Sequence, residues 1–113
     1  MIRDNIDREG LYERFKVESY KLENELYNFL NNSHKHLSDI KEILHIGKNI
    51  LKDLELAYEN GYLSDETYEI MKYLLIQILD LFHNFNQKTS MGPKVLRELR
   101  KVNEKVLNEL KPN

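Results

Sequence analysis

The fold is decided by residues 59–66, which read ENGYLSDE. Gly61 is the residue type that ends helices in a left-handed conformation, because it has no side chain to clash there. Ser64 is a favoured N-cap, and the two acidic residues after it lie where the dipole of a helix favours negative charge. Leu63 and Tyr68 have the spacing of a hydrophobic staple across that cap. The stretch therefore predicts a tight turn between two helices.

Apolar residues recur outward from this turn at steps of three, four and seven residues, as they do along one face of a helix. This pattern predicts four helices, at about residues 9–31, 39–60, 65–87 and 93–110. Helices of roughly twenty residues joined by short loops form bundles in which neighbouring helices run in opposite directions. We therefore expect an all-α protein, an antiparallel up-down four-helix bundle in which residues 1–113 form a single domain.

Two interpretations are open for residues 31–38. Residues 31–33 are Asn-Asn-Ser, and short polar side chains compete for backbone hydrogen bonds and favour a break, with Ser38 as the N-cap of the second helix. The alternative is one continuous helix, because leucines recur there at intervals of seven. These leucines are Leu30, Leu37, Leu44 and Leu51.

The composition limits the classes of function. The sequence has no Cys, so it offers no disulfide, thiolate metal site or thiol nucleophile. Its most apolar run, residues 70–82, is interrupted by Lys72, Gln77 and Asp80, and the first residues are too charged for a signal peptide. We therefore expect a cytoplasmic protein that does not enter a membrane and carries no cofactor.

Charge is distributed unevenly along the chain. The net charge of −2 argues against a strongly basic nucleic-acid binder. Residues 53–80 nevertheless contain seven acidic residues and one Lys, whereas residues 88–113 contain seven basic and three acidic residues. Such a division of charge can guide either self-association or the binding of a polyanion.

Metal and catalytic motifs receive little support. Glu42 and His45 have the Glu-x-x-His spacing of dimetal bundles, and Asp80 and His83 nearly repeat it. Both pairs lie opposite the apolar faces of their helices, so we expect them in solvent and predict no metal site. The sequence has no Gly-rich phosphate loop, nucleophile elbow or zinc-protease motif, so we predict that the protein is not an enzyme.

The predicted fourth helix carries a row of basic residues opposite its apolar face. Such a row can follow the phosphates of a nucleic acid. Glutamates lie four residues after Lys94, Arg100 and Lys105, and they offer the alternative of a solvated face with helical ion pairs. The residues predicted to bind RNA or DNA are Lys94, Arg97, Arg100, Lys101 and Lys105.

Four apolar or aromatic side chains lie away from the predicted core. Tyr20 and Tyr27 are seven residues apart on the first helix, and Tyr73 and Ile76 lie among polar residues of the third. Tyrosine is common at protein interfaces, which favours a contact with another copy or with a protein partner. The alternative is that each ring covers the edge of the core with its hydroxyl group in water.

The turn and its flanking helices also carry a family resemblance. Residues 54–68 read LELAYENGYLSDETY and residues 78–82 read ILDLF. This pattern resembles the small four-helix-bundle family of ribosomal RNA intervening-sequence proteins and of accessory variability determinants of diversity-generating retroelements. Members often show a Leu-x-Leu-Ala helix end, a Gly-Tyr-Leu-Ser-like turn and a following Glu-x-Tyr.

The resemblance implies a homo-oligomeric, often pentameric, bundle that assists a reverse transcriptase and binds template RNA or DNA. The basic residues of the fourth helix would serve this role, together with Lys41, Lys48 and Lys52 on the second. Family members usually have a basic surface, whereas this chain is slightly acidic.

Two functional hypotheses follow. The first is a non-enzymatic, self-associating helical accessory protein that contacts a protein–nucleic-acid complex, such as a retroelement reverse transcriptase and its RNA. The alternative is a small protein-binding adaptor or inhibitor of phage or mobile-element origin, with no nucleic-acid contact.

Overall fold

The computed structural model describes residues 7–31, 37–83 and 92–112. Its elements are four α-helices, and the described ranges contain no β-strand. None of these helices is both long enough and apolar enough to cross a membrane. The helices are α1 (Arg8–Asn31), α2 (Leu37–Glu59), α3 (Asp65–His83) and α4 (Gly92–Leu110).

The four helices form a closed ring in which each packs against the next and α4 packs against α1. Two ion pairs show that α1 and α2 run in opposite directions. Arg14 near the start of α1 pairs with Asp53 near the end of α2, while Lys21 pairs with Glu42. Likewise, Arg8 donates to backbone carbonyls at the end of α4. The predicted all-α, antiparallel up-down four-helix bundle is therefore confirmed.

The end of α2 has the backbone hydrogen bonds of a Schellman motif. Gly61 has a φ of 76°. Its N–H donates to the carbonyl of Tyr58 at 3.0 Å, and the N–H of Tyr62 donates to the carbonyl of Ala57 at 2.9 Å. These two bonds satisfy carbonyl groups that the helix itself leaves unpaired, as predicted from the position of Gly61.

The start of α3 is capped as predicted. The Oγ of Ser64 accepts a hydrogen bond from the N–H of Thr67 at 3.2 Å. Leu63 and Tyr68, the two residues expected to form a staple, are both buried. The ring of Tyr68 also stacks on Tyr58 of α2, with centroids 4.0 Å apart. The turn thus fixes the relative position of α2 and α3.

The core lies where the four apolar faces meet. The core residues of α1 are Leu11, Phe15, Leu22, Leu26 and Phe29. The ring of Phe29 contacts the ring of Phe82 on α3 edge to face, with centroids 5.1 Å apart. The buried residues of α2 include Ile46, and those of α4 include Leu96 and Leu107.

Gly47 permits a close approach between α2 and α3. A Cβ atom at this position would lie 3.1 Å from the Cδ2 atom of Leu79, closer than ordinary van der Waals contact. The absence of a side chain at Gly47 therefore lets α2 and α3 pack closely at this point.

The structure also resolves the alternatives for residues 31–38. Helix α1 ends at Asn31 and α2 runs back along it from Leu37, so the continuous helix is wrong. Ser38 is predicted as the N-cap of the second helix, but it lies inside the first turn of α2, which begins one residue earlier at Leu37. Residues 84–87, expected at the end of the third helix, lie outside the described residues.

Candidate nucleic-acid interface

All five predicted basic residues of α4 have exposed side chains. The opposite side of the helix is buried, with Leu99 and Val106 fully inside the core. Steps of three and four residues keep Lys94, Arg97 and Lys101 on one side of the helix, because an α-helix turns once in 3.6 residues. The folded chain therefore presents a row of cations along the outside of the bundle.

Arg100 lies at the boundary between α4 and α1. Its Nε atom is 3.7 Å from Oε1 of Glu23, whose side chain is only 15% exposed. The other carboxylate oxygen of Glu23 accepts a hydrogen bond from the side-chain amide of the buried Asn103 at 2.8 Å. Two groups from α4 therefore hold the Glu23 carboxylate, and Glu23 in turn positions the guanidinium of Arg100.

The same guanidinium lies against Tyr27 of α1. Its Cζ atom is 5.9 Å from the centroid of the Tyr27 ring, a cation–π distance. The sequence pattern predicted Arg100 for a nucleic-acid surface and Tyr27 for a protein interface, and the structure places them side by side. This proximity has no signal in the sequence, because the two residues are 73 positions apart on separate helices.

Lys105 differs from the other predicted basic residues because it turns toward α3. Its ammonium group is 3.5 Å from a carboxylate oxygen of Glu66. Within residues 7–31, 37–83 and 92–112, no acidic group lies within ion-pair distance of Lys94, Arg97 or Lys101. We therefore define the basic face of α4 as Lys94, Arg97, Arg100 and Lys101, and assign Lys105 to the contact with α3.

Glu109 has the sequence spacing of a helical ion-pair partner that would neutralise Lys105. Instead its carboxylate accepts a hydrogen bond from the N–H of Ser64 at 2.8 Å and another from the Thr67 hydroxyl group. Partial burial of the carboxylate by itself raises the pKa of Glu109. The two hydrogen bonds and the nearby charge of Lys105 outweigh that effect and leave the pKa below its ordinary value. Glu109 therefore stabilises the turn before α3.

Exposed apolar side chains form two groups on opposite sides of the bundle. Tyr20 and Tyr27 on α1 are about half exposed, and Tyr73 on α3 is 65% exposed. Helices α1 and α3 are not neighbours in the ring, so their outer surfaces face away from each other. We define the α1 patch as Val17 and Tyr20, and the α3 patch as Ile70, Tyr73 and Ile76.

Two members of these patches were not predicted from the sequence. Val17 is 61% exposed and Ile70 is 39% exposed. Each lies three residues before an exposed tyrosine and therefore on the same side of its helix. That spacing was a usable signal, and it extends each patch by about one helical turn.

The residues with the spacing of a dimetal site lie on the outside of the bundle. His45, Asp80 and His83 are exposed, and Glu42 lies 3.7 Å from Lys21 in an ion pair with α1. Among the residues that the structure describes, no group of three His, Asp or Glu side chains is arranged to hold a metal ion.

A shallow groove of about 450 Å³ lies between α1 and α2. The carboxylate of Asp53, buried beneath it, is held by Arg14, whose Nε atom donates to it at 3.0 Å. Lys52, which the family resemblance suggested for nucleic-acid binding, lines this groove together with Glu55 and Glu59. Lys52 therefore lies among acids, unlike the cations of the basic face of α4.

Comparison with known proteins adds no assignment: no family model matches the chain, and neither a curated protein nor a solved structure matches it. The resemblance of residues 54–68 to intervening-sequence proteins and variability determinants therefore stays a prediction.

Proposed function

We propose that this chain is a non-enzymatic helical accessory protein that self-associates and contacts nucleic acid through the basic face of α4. The observation that carries the proposal is the set of exposed cations at Lys94, Arg97 and Lys101, which have no acidic partner among the described residues.

The dimensions of the basic face suit a nucleic-acid strand. Between Lys94 and Lys101 the helix advances about 10 Å, because each residue adds 1.5 Å. Along the axis of a double helix the phosphates of one strand advance by about 3.4 Å each, so a length of about 10 Å spans about three of them. Neutralising phosphates releases bound counterions, which is the main source of affinity that does not depend on base sequence.

The proposal also extends to the protein–nucleic-acid complex that the chain contacts. The resemblance of residues 54–68 to retroelement accessory proteins supports a reverse transcriptase and its RNA as the partners. A cytoplasmic location is proposed on the same ground. Self-association is supported by the α3 patch. Ile70, Tyr73 and Ile76 leave apolar surface exposed to solvent, and contact with a second copy would bury it.

The test is a triple variant, Lys94→Gln, Arg97→Gln and Lys101→Gln, in an anisotropy titration with a labelled 20-nucleotide RNA. We expect at least a tenfold loss of affinity. We also expect log K to depend less steeply on log salt, by about 2, because three phosphate contacts are lost from a single strand.

The matched comparison is Lys41→Gln, Lys48→Gln and Lys52→Gln, which changes the net charge equally but at the α2 lysines that the family resemblance also suggested for binding. The proposal places binding on α4, so this variant should bind RNA as the wild type does at moderate salt. Equal affinity of the α4 variant and the wild type would overturn the nucleic-acid part of the proposal.

The second candidate is a protein-binding adaptor or inhibitor of phage or mobile-element origin. It is favoured by the exposure of the α3 patch, above all of Tyr73. Binding through apolar contacts depends little on salt, whereas binding to phosphates weakens steeply as salt rises. A wild-type protein that binds no RNA at low salt and is a monomer would favour this candidate.

A further inference from the structure

Tyr27 borders the basic face of α4, and the guanidinium of Arg100 is held beside its ring. The Cζ atom of Arg100 lies 5.9 Å from the ring centroid. Arg100 is positioned by Glu23, and Glu23 is held by the buried amide of Asn103. Tyr27 is 49% exposed, so part of its side chain is open to solvent beside this guanidinium.

This arrangement differs from a tyrosine that merely covers the edge of a core. The neighbours Leu26 and Phe29 are buried in the core, whereas Tyr27 is about half exposed at the boundary with α4. An exposed aromatic ring beside a row of cations is the combination by which proteins hold unpaired nucleotides, because bases stack on the ring while cations bind the phosphates.

We propose that the boundary of α1 and α4 binds single-stranded nucleic acid, with one base stacked on Tyr27 and adjacent phosphates on Arg97, Arg100 and Lys101. This inference rests on the proposed function and adds the class of strand. In a double helix each base face is covered by the next base pair. A ring on the outside of a helix therefore meets a base face only where the strand is unpaired.

The experiment compares oligonucleotides of equal length by anisotropy: a labelled 12-nucleotide oligothymidylate, the same strand in a duplex, and an abasic strand with the same phosphates. Wild-type protein should bind the thymidylate strand more tightly than the duplex. Tyr27→Leu should weaken binding to the thymidylate strand about tenfold, a typical loss for one stacked base.

Three comparisons make this effect specific. Tyr27→Phe should bind as the wild type does, because the ring remains. Tyr27→Leu should not change binding to the abasic strand or the salt dependence, because the phosphate contacts remain. Tyr20→Leu, a change of an equally exposed tyrosine on the same helix, should have less than a twofold effect.

The outcomes separate the inference from the proposed function. Equal affinity of Tyr27→Leu and wild type for the thymidylate strand, or preferred binding of the duplex, overturns the stacking role while binding through α4 stands. Failure of the wild type to bind any of the three oligonucleotides overturns both. Circular dichroism of each variant verifies folding, which these exposed positions should leave unchanged.

Discussion

At the scale of single residues, Glu109 joins the last helix to the turn that organises the chain. Its carboxylate accepts hydrogen bonds from Ser64 and Thr67, which are also the two residues of the α3 cap. A charged acceptor at the N-terminus of a helix is further favoured by the helix dipole. One side chain of α4 thereby stabilises the start of α3.

The Glu109 carboxylate should make the stability of the fold depend on pH, and replacing it with an amide should remove that dependence. Because the pKa of Glu109 is lowered in the folded state, its ionised form favours folding at pH values above its ordinary pKa. That contribution is lost as the pH falls through the lowered value. Glu109→Gln should therefore reduce the free energy of unfolding by roughly 1 kcal/mol at pH 7, with a smaller deficit at pH 3.

Urea unfolding at both pH values measures this difference. Glu104→Gln is the matched control, since Glu104 is exposed on the same helix and should change stability little at either pH. A constant deficit for Glu109→Gln from pH 7 to pH 3 would contradict the role of the charged form.

At the scale of helices, the turn between α2 and α3 depends on the left-handed conformation of Gly61. Apart from the adjoining residues of the chain, no residue that the structure describes has an atom within 4 Å of a Cβ placed there, so a larger residue would face backbone strain and not a clash with those residues. For residues other than Gly this conformation costs about 1–2 kcal/mol, and Asn tolerates it better than most.

Substitutions at Gly61 should therefore rank by their tolerance of positive φ. Gly61→Ala should lower the free energy of unfolding by about 1 kcal/mol, and Gly61→Asn should lower it less. Thermal and urea unfolding of the two variants test this order. Equal stability of Gly61→Ala and the wild type would show that the turn relaxes to another conformation.

The helices could be predicted from the sequence, but most contacts between them could not. Capping and periodicity are local, so the turn at Gly61 and the apolar face of α1 follow from neighbouring residues. Ion pairs such as Arg14 with Asp53 join residues 39 positions apart, and no local pattern signals them. For the same reason the burial of Asp53, one of the acids of residues 53–80, has no signal in the sequence.

At the scale of the whole molecule, the exposed surfaces differ from side to side. The outer side of α4 carries the basic face, while the outer side of α3 combines the α3 patch with the exposed acids Glu66, Glu69 and Asp80. Two α3 surfaces facing each other would bring like charges together, which opposes that pairing. Self-association is therefore better served by contact between different surfaces.

Disrupting the α3 patch should reduce the mass of the protein in solution. Light scattering of the wild type should give a multiple of 13.6 kDa, and Tyr73→Ser with Ile76→Ser should shift it toward a single chain. The control, His45→Ser with Lys48→Ser, alters two exposed residues of α2 and should keep the wild-type mass. A wild type that is monomeric at tens of micromolar would overturn the proposed self-association.

The placement of the α1 and α3 patches on opposite sides of the bundle affects how an assembly of copies would grow and whether it would close into a ring. If the α3 patch of one copy meets the α1 patch of the next, every contact is heterologous and the assembly has polarity. Such a series leaves one unfilled patch at each end until a ring closes, and without closure it extends as a filament. A copy altered only at Tyr20 would then join one end and stop further addition, so small amounts of it would shorten the assemblies of the normal chain.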